Sequence, residues 1–427
     1  MMSNKPIWRA AALAAVASLV LAACGSSNDN GDTGNSGDGG GKTVTISSDL
    51  PLQGSSKDAS AAMNNAIKLY LEQVGNKAGK HTIKFKEYDD STAAKGAWDD
   101  ATCAKNAQDH VGNTDEVAVM GTYNSGCAKI IVPVLNQDPD GPMLMVSHAN
   151  TNVGLTKKWE PGEPEKYYPT GQRNYARVVT TDDFQGTADS TYVAQDLGKK
   201  RCYVLNDNQT YGIGVAKAFV DNAKKVGIEI LGNQPWDAKQ PNYTALFQGI
   251  KAKNPDCIFL GGIYDNNGGQ LIKDKVRVLG DNTKVMMMGP DGFSGYTDLQ
   301  KQKEGEGMYL SFAGLDTESL RANGGGAAKF LDAYKAKYGA DPSTSYALYA
   351  VAAVQVILAA IEKSDGTRKS ITDAVFSGEG ITIPEADSVI GKEIIIDPKT
   401  GDTNNKDISI LQLTAGVEKF KKAQPVE

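Results

Sequence analysis

Residues 117–127 read Val117-Ala118-Val119-Met120-Gly121-Thr122-Tyr123-Asn124-Ser125-Gly126-Cys127. Four apolar residues predict a buried strand, which runs into a glycine and then Asn-Ser-Gly. The next residues, Ala128-Lys129-Ile130-Ile131-Val132-Pro133-Val134-Leu135, have the spacing of an amphipathic helix. A strand tip that turns into a helix N-terminus leaves backbone N–H groups free at the positive end of the helix dipole. Ser125, at or near the N-cap, adds a hydroxyl. A carboxylate or other anion suits such a place, and ligands of open α/β sheets sit at strand tips of this kind. The stretch also fits a capped helix with no ligand.

The same alternation extends outward. Upstream, Thr43-Val44-Thr45-Ile46 predicts a strand, Ala61 to Val74 a helix, His81 to Tyr88 a strand and Ala93 to Val111 a helix. Downstream, Pro142 to Val146 predicts a fourth strand, ending in Ser147-His148-Ala149-Asn150-Thr151-Asn152. Three prolines between Trp159 and Thr170 mark a surface excursion, and Tyr175 to Val179 is a strand leaving this lobe. A second run follows. Its strands are predicted at 201–205, 229–231, 257–260 and 284–288, its helices at 183–197, 215–226, 243–253 and 268–279. Residues 307–312 are read as the return to the first lobe, with helices at 327–338 and 343–363. Residues 394–396 and 408–413 read as a hairpin-like pair on the second lobe. The fold class is α/β, with two doubly wound parallel-sheet lobes joined by a three-segment hinge and a ligand cleft between them. The lobes are expected at 43–179 plus 314–390 and at 180–313 plus 391–427, with hinges near Val178–Thr180, Phe312–Leu315 and just after Asp387.

The first 23 residues read as a signal peptide. Lys5 and Arg9 precede an apolar run from Ala10 to Ala23, too short to span a bilayer. Leu21-Ala22-Ala23-Cys24 resembles a bacterial lipobox, which implies a diacylated Cys24 as the mature N-terminus. Residues 24–42, mostly Gly, Ser, Asn and Asp, are expected to form a flexible tether. The expected address is extracytoplasmic, anchored to the membrane by lipidated Cys24. With 45 Lys+Arg against 51 Asp+Glu and no basic block, a nucleic-acid partner is not expected. Cys103, Cys127, Cys202 and Cys257 form an even set in an exported chain and predict disulfides. Three pairings are possible, and Cys103–Cys127 with Cys202–Cys257 is the favoured one. No C-x-x-C occurs and the histidines at 81, 110 and 148 are scattered, so neither a metal nor a cofactor is expected.

The polar strand-end loops share one edge of each sheet. A zwitterion between them needs donors for its carboxylate and an acid for its ammonium. Ser125 and Thr151 offer hydroxyls, Asp291 the acid, and Tyr123, Tyr211 and Tyr264 walls with a polar tip. The chain resembles the leucine/isoleucine/valine-binding proteins, a type I periplasmic-binding family that feeds ABC importers. The resemblance rests on Leu50-Pro51-Leu52-Gln53-Gly54, Tyr88-Asp89-Asp90, Gly121 to Ser125, Ser147 to Thr151, Asp207 to Gly212, Gly261-Gly262 and Gly289-Pro290-Asp291-Gly292. It implies that Ser125, Ala149 and Thr151 hold the ligand's carboxylate and amino group, that Tyr211 supplies an aromatic and that Asp291 takes the ammonium. Asp291 stands where the family usually has Glu, and Ile263 where it has an aromatic, with Tyr264 next. Asn124 and Asn150 make the pocket more polar than an aliphatic ligand wants. The implied partners are a small amino acid, branched-chain by class, and ABC permease subunits, with the chain acting as a monomer. The competing functions are a ligand sensor on the same fold and a binder of an amide or other organic solute. A hydrolase built on Ser125 and His148 fails, because Tyr123-Asn124-Ser125-Gly126-Cys127 is not G-x-S-x-G. The Gly212-Ile213-Gly214 pair lacks the third glycine of a nucleotide loop.

Overall fold

The computed structural model describes residues 40–424. The signal segment, Cys24 and most of the tether lie outside the described residues. In chain order the first part gives β1 (Thr43–Leu50), α1 (Lys57–Gln73), β2 (Lys77–Ala78), β3 (His81–Asp89), β4 (Ser91–Thr92), β5 (Ala97–Trp98), α2 (Asp100–Gly112), β6 (Glu116–Gly121), α3 (Ser125–Asn136), β7 (Leu144–Ser147) and β8 (Tyr175–Arg177). The second gives α4 (Asp182–Thr191), β9 (Arg201–Asn206), α5 (Thr210–Ala223), β10 (Glu229–Pro235), α6 (Thr244–Lys251), β11 (Cys257–Gly261), α7 (Gly268–Leu279), β12 (Met286–Gly289), α8 (Thr297–Lys301) and β13 (Tyr309–Phe312). The remainder gives α9 (Thr317–Ala322), α10 (Gly325–Tyr338), α11 (Tyr346–Glu362), α12 (Arg368–Phe376), β14 (Ile381–Ile383), β15 (Ile394–Ile396), β16 (Ile408–Thr414) and β17 (Val417–Gln424).

The first sheet runs β2-β3-β1-β6-β7-β8 and the second β10-β9-β11-β12-β13-β16-β17. Numbered within each run, the five parallel strands of both sheets follow the order 2-1-3-4-5. In that doubly wound order the crevice for a ligand opens beside the first strand, where the winding reverses. The loops that matter therefore follow β1 and β6 in one lobe and β9 and β11 in the other. The central parallel strands β6, β11 and β12 read as near-continuous apolar runs because helices cover both faces. Every residue of β6, β11 and β12 is buried. Helix α11 is the most deeply buried of the helices: only Ala359 and Glu362 of it are not buried.

Several elements differ from the sequence reading. The helix expected over 93–111 starts only at Asp100. Residues 91–98 form the β4–β5 hairpin, turned at Gly96 (φ 63°), and Asp99 caps α2 by accepting from the N–H groups of Ala101 and Thr102, both at 3.1 Å. Strand β13 is not a return to the first lobe; it continues the second sheet, parallel to β12 and antiparallel to β16. The expected pairing of 394–396 with 408–413 is replaced: β15 pairs with β14, and β16 pairs with β13 and β17. Helices α9 and α12 and strand β17 had no counterpart in the reading. The chain passes between the sheets after β8, after β13 and between β15 and β16. Cys103 is bonded to Cys127 and Cys202 to Cys257, the latter pair directly opposite on β9 and β11.

A buried ionic cluster fixes β1 and β6 against α2. His110 Nε2 lies 3.0 Å from Asp49 Oδ2 and Nδ1 2.5 Å from Glu116 Oε1. Tyr88 donates to Glu116 at 2.9 Å and Asn106 to Asp49 at 3.0 Å. Burial opposes the charge on His110, but the hydrogen bonds and charges of both acids outweigh it and raise its pKa from 6.5 to about 9. A raised histidine stabilises fully below its unfolded value of 6.5 and loses that contribution as pH rises through 9. Urea titrations should show stability declining between those values. His110→Asn, which leaves two buried carboxylates facing a neutral amide, should cost ~3 kcal/mol at pH 6.5 and flatten the decline.

Candidate functional site

Helix α3 is built to present its first turn. Asn124 is the N-cap, with Ser125 next to it as the first helical residue, and the Asn124 side chain makes no capping bond. The N–H groups of the first turn thus stay free for a ligand. Ser125 opens the helix, and its hydroxyl accepts from the Asn152 N–H at 3.4 Å. The disulfide from Cys127 to α2 holds the turn in place. Gly126 has no room for a side chain, because a Cβ would lie 2.5 Å from the Trp98 ring of the hairpin.

Between the sheet tips is a narrow cavity of about 20 Å³, room for about one water molecule in this closed form. From the first lobe Tyr123, Asn124, Ser125 and Ala149 line it. From the second come Tyr211, Ile263, Asp291, Gly292 and Tyr296, and Tyr346 enters from the N-terminus of α11. Asp291 is buried and accepts from Tyr211 at 2.6 Å and from Tyr346 at 2.5 Å. Burial raises its pKa, and the two phenols offset part of the rise. The cavity therefore has an uncapped helix end on one side and a buried acid on the other, with no Lys or Arg on its wall.

Of the residues singled out from sequence, Asn124, Ser125, Ala149, Tyr211 and Asp291 meet at the cavity. Asn150, Thr151 and Tyr264 stand behind it. The Asn150 amide donates to the carbonyls of Thr122 at 2.7 Å and Tyr123 at 3.2 Å, which shapes the loop rather than the wall. The Thr151 hydroxyl is buried and faces Asp182. Tyr264 turns into the second lobe, bonds Gln302 at 3.2 Å and packs on Tyr296, so Ile263 takes its place at the cavity. Tyr296 and Tyr346 escaped the sequence reading. The only signal for Tyr346 was a polar-tipped aromatic opening an otherwise aliphatic helix.

Two acids of α4 lie behind Asp291. Burial raises Asp182 to about 8, and it raises Asp189 well above the usual carboxylate range. His148 has no partner at either ring nitrogen, and burial lowers it to about 3. It stacks on Tyr123 with ring centres 5.9 Å apart and meets the edge of Tyr346 at 5.8 Å, a neutral brace for the cavity wall.

The lobes are latched by a carboxylate. Asp265, after β11, accepts from the Ser56 N–H at 3.1 Å and hydroxyl at 2.8 Å, and from Tyr296 at 2.6 Å. Ser56 ends a short 3-10 turn (Gly54–Ser56) that leads into α1, so an acid of one lobe caps a helix of the other.

A family model described as "Periplasmic binding protein" matches residues 43–417. A Leu/Ile/Val-binding protein of Rhizobium johnstonii is 27% identical over 298 residues, 70% of this chain and 73% of its own. A Leu/Ile/Val-binding protein of Citrobacter freundii is 26% identical over 239 residues, 56% of this chain and 59% of its own. Among solved structures, a leucine binding protein of Thermotoga maritima superposes with a TM-score of 0.72 at 20% identity, covering 89% of this chain and 98% of that one. A branched-chain amino acid transporter substrate binding protein of Streptococcus pneumoniae, in complex with isoleucine, gives 0.71 at 22% identity, covering 90% and 99%.

Removing the latch should open the cleft. Asp265→Ala loses the two hydrogen bonds from Ser56 that cross the cleft, a cost of ~1–3 kcal/mol to the closed form. Spin labels on the two lobes should then report a longer, broader distance distribution than in the parent chain. An unchanged distribution would mean that the latch does not hold the lobes together.

Proposed function

Because the chain belongs to the periplasmic binding protein family, we propose that it captures a small amino acid in the interlobe cavity and hands it to an ABC importer. The observation that carries this reading is the pairing of the bare α3 N-terminus with buried Asp291 across one small cavity. A zwitterion matches both ends: its carboxylate meets the Ser125 hydroxyl and the free N–H groups, its ammonium the Asp291 carboxylate. The two phenols orient Asp291 and leave further acceptor lone pairs on it. Thr151 and Asn150 support the loop that carries Ala149. The relatives named for leucine, isoleucine and valine support a ligand of the branched-chain class.

Binding is the whole activity in this reading, with no catalytic step. His148 is not bonded to Ser125 and is held neutral by its burial. Closure of the lobes traps the ligand and presents both lobes to permease subunits. The Leu21-Ala22-Ala23-Cys24 signal supports an extracytoplasmic chain anchored through lipidated Cys24. Among the described residues no helix is long and apolar enough to cross a membrane.

A thermal-shift screen with amino acids, amides, organic acids and sugars tests the class. A true ligand at about 100 times its Kd adds ~2.7 kcal/mol to stability, and Asp291→Ala should abolish that shift for an amino acid. The pH dependence has a definite sign. The raised carboxyl of Asp291 must ionise to accept an ammonium, so affinity should fall as pH drops through its range and Asp291→Asn should remove the slope. Stabilisation by organic acids alone would sink the zwitterion reading.

A further inference from the structure

Two side chains of the cavity wall, Asn124 and Tyr123, make no side-chain hydrogen bond among the described residues. Asn124 has the extended conformation of an N-cap (φ −101°, ψ 129°), and asparagine is among the best N-cap residues, yet its amide does not cap α3. It lines the cavity, and its Oδ1 is buried with no partner among the described residues. The neighbouring Tyr123 hydroxyl is likewise without a hydrogen bond, under burial and the distant charges of Asp265 and Asp291. The other three phenols of the wall are committed: Tyr211 and Tyr346 to Asp291, Tyr296 to Asp265. Once Ser125 and Asp291 hold a zwitterion, the rest of the ligand meets the Asn124 amide, with Ile263 as the only large aliphatic contact.

We propose that the ligand's side chain carries a hydroxyl or amide that bonds the Asn124 amide, so that the site favours a polar amino acid over its aliphatic isostere. The inference rests on the reading of the cavity as an amino-acid site. An amide offers both a carbonyl acceptor and N–H donors, so either kind of polar group finds a partner there. An aliphatic side chain of the same shape would bury the amide unpaired. Sites built to hydrogen-bond a ligand discriminate strongly against the analogue that lacks the group.

Two isosteric pairs make the test: valine with threonine, and leucine with asparagine. Each is titrated calorimetrically into the purified chain. The expected result is ~10-fold or tighter binding of the polar member in at least one pair, and loss of that preference in Asn124→Leu. Because the Asn124 side chain makes no capping bond, the variant should fold. Equal or tighter binding of both aliphatic members overturns the inference and leaves the amino-acid reading standing. A polar preference that survives in Asn124→Leu also overturns it, since another group then reads the side chain. If none of the four binds a folded chain, the amino-acid reading itself fails, and the inference with it.

Discussion

Arg177 is the interaction on which the arrangement of the cleft depends. Its side chain is fully buried at the end of β8, where the chain first leaves the first sheet. The guanidinium donates to Asp402 at 2.8 Å and to the carbonyls of Asn150 and Asn152, each at 2.9 Å. Asp402 lies in the last crossing between the sheets. One cation therefore joins two of the three crossings to the loop that carries Ala149. A planar, permanently charged fork reaches these acceptors and the Thr156 hydroxyl in fixed, separate directions, which the single nitrogen of a lysine does not. The cost of burying the charge is offset by the Asp402 carboxylate and by the two backbone carbonyls that accept from it.

The alternation of strands and helices was legible because buried parallel strands leave long apolar runs and each ends in a polar loop. The same signal put Ser125, Tyr211 and Asp291 in loops that follow strand tips, while Ala149 rested on the family resemblance; all four line the cavity. It failed where a polar stretch pairs locally. Residues 91–98 have no apolar run, and their hairpin is held by a glycine turn and by Trp98 packing on Gly126. It failed again at 394–413, where two isoleucine-rich strands fit each other by pattern but the chain between them makes a crossing. Tyr296 and Tyr346 were invisible because their place at the cavity follows from how the two lobes close, which no local window contains. Tyr264 was misplaced by a single residue of loop path.

The charge around the cleft is lopsided. Asp182, Asp189, Asp265 and Asp291 are all pushed upward by burial, and none is paired with a base. In a low-dielectric site such acids tend to the neutral form until a cation or donor arrives. The phenols and Ser56 supply donors for two of them. The helix end on the opposite wall is the balancing feature, since it offers positive potential without a titratable group. The ligand then meets fixed dipoles on one side and a proton-sensitive acid on the other.

The latch has a consequence for measuring motion. In the closed cleft the first-turn amide of Ser56 is protected by Asp265 of the opposite lobe. When the lobes part, that amide returns to solvent while the body of α1 stays folded on α11. Its hydrogen-exchange rate therefore counts openings of the cleft directly, with no label and no ligand. A single backbone proton at the head of one helix becomes the clock for the whole molecule.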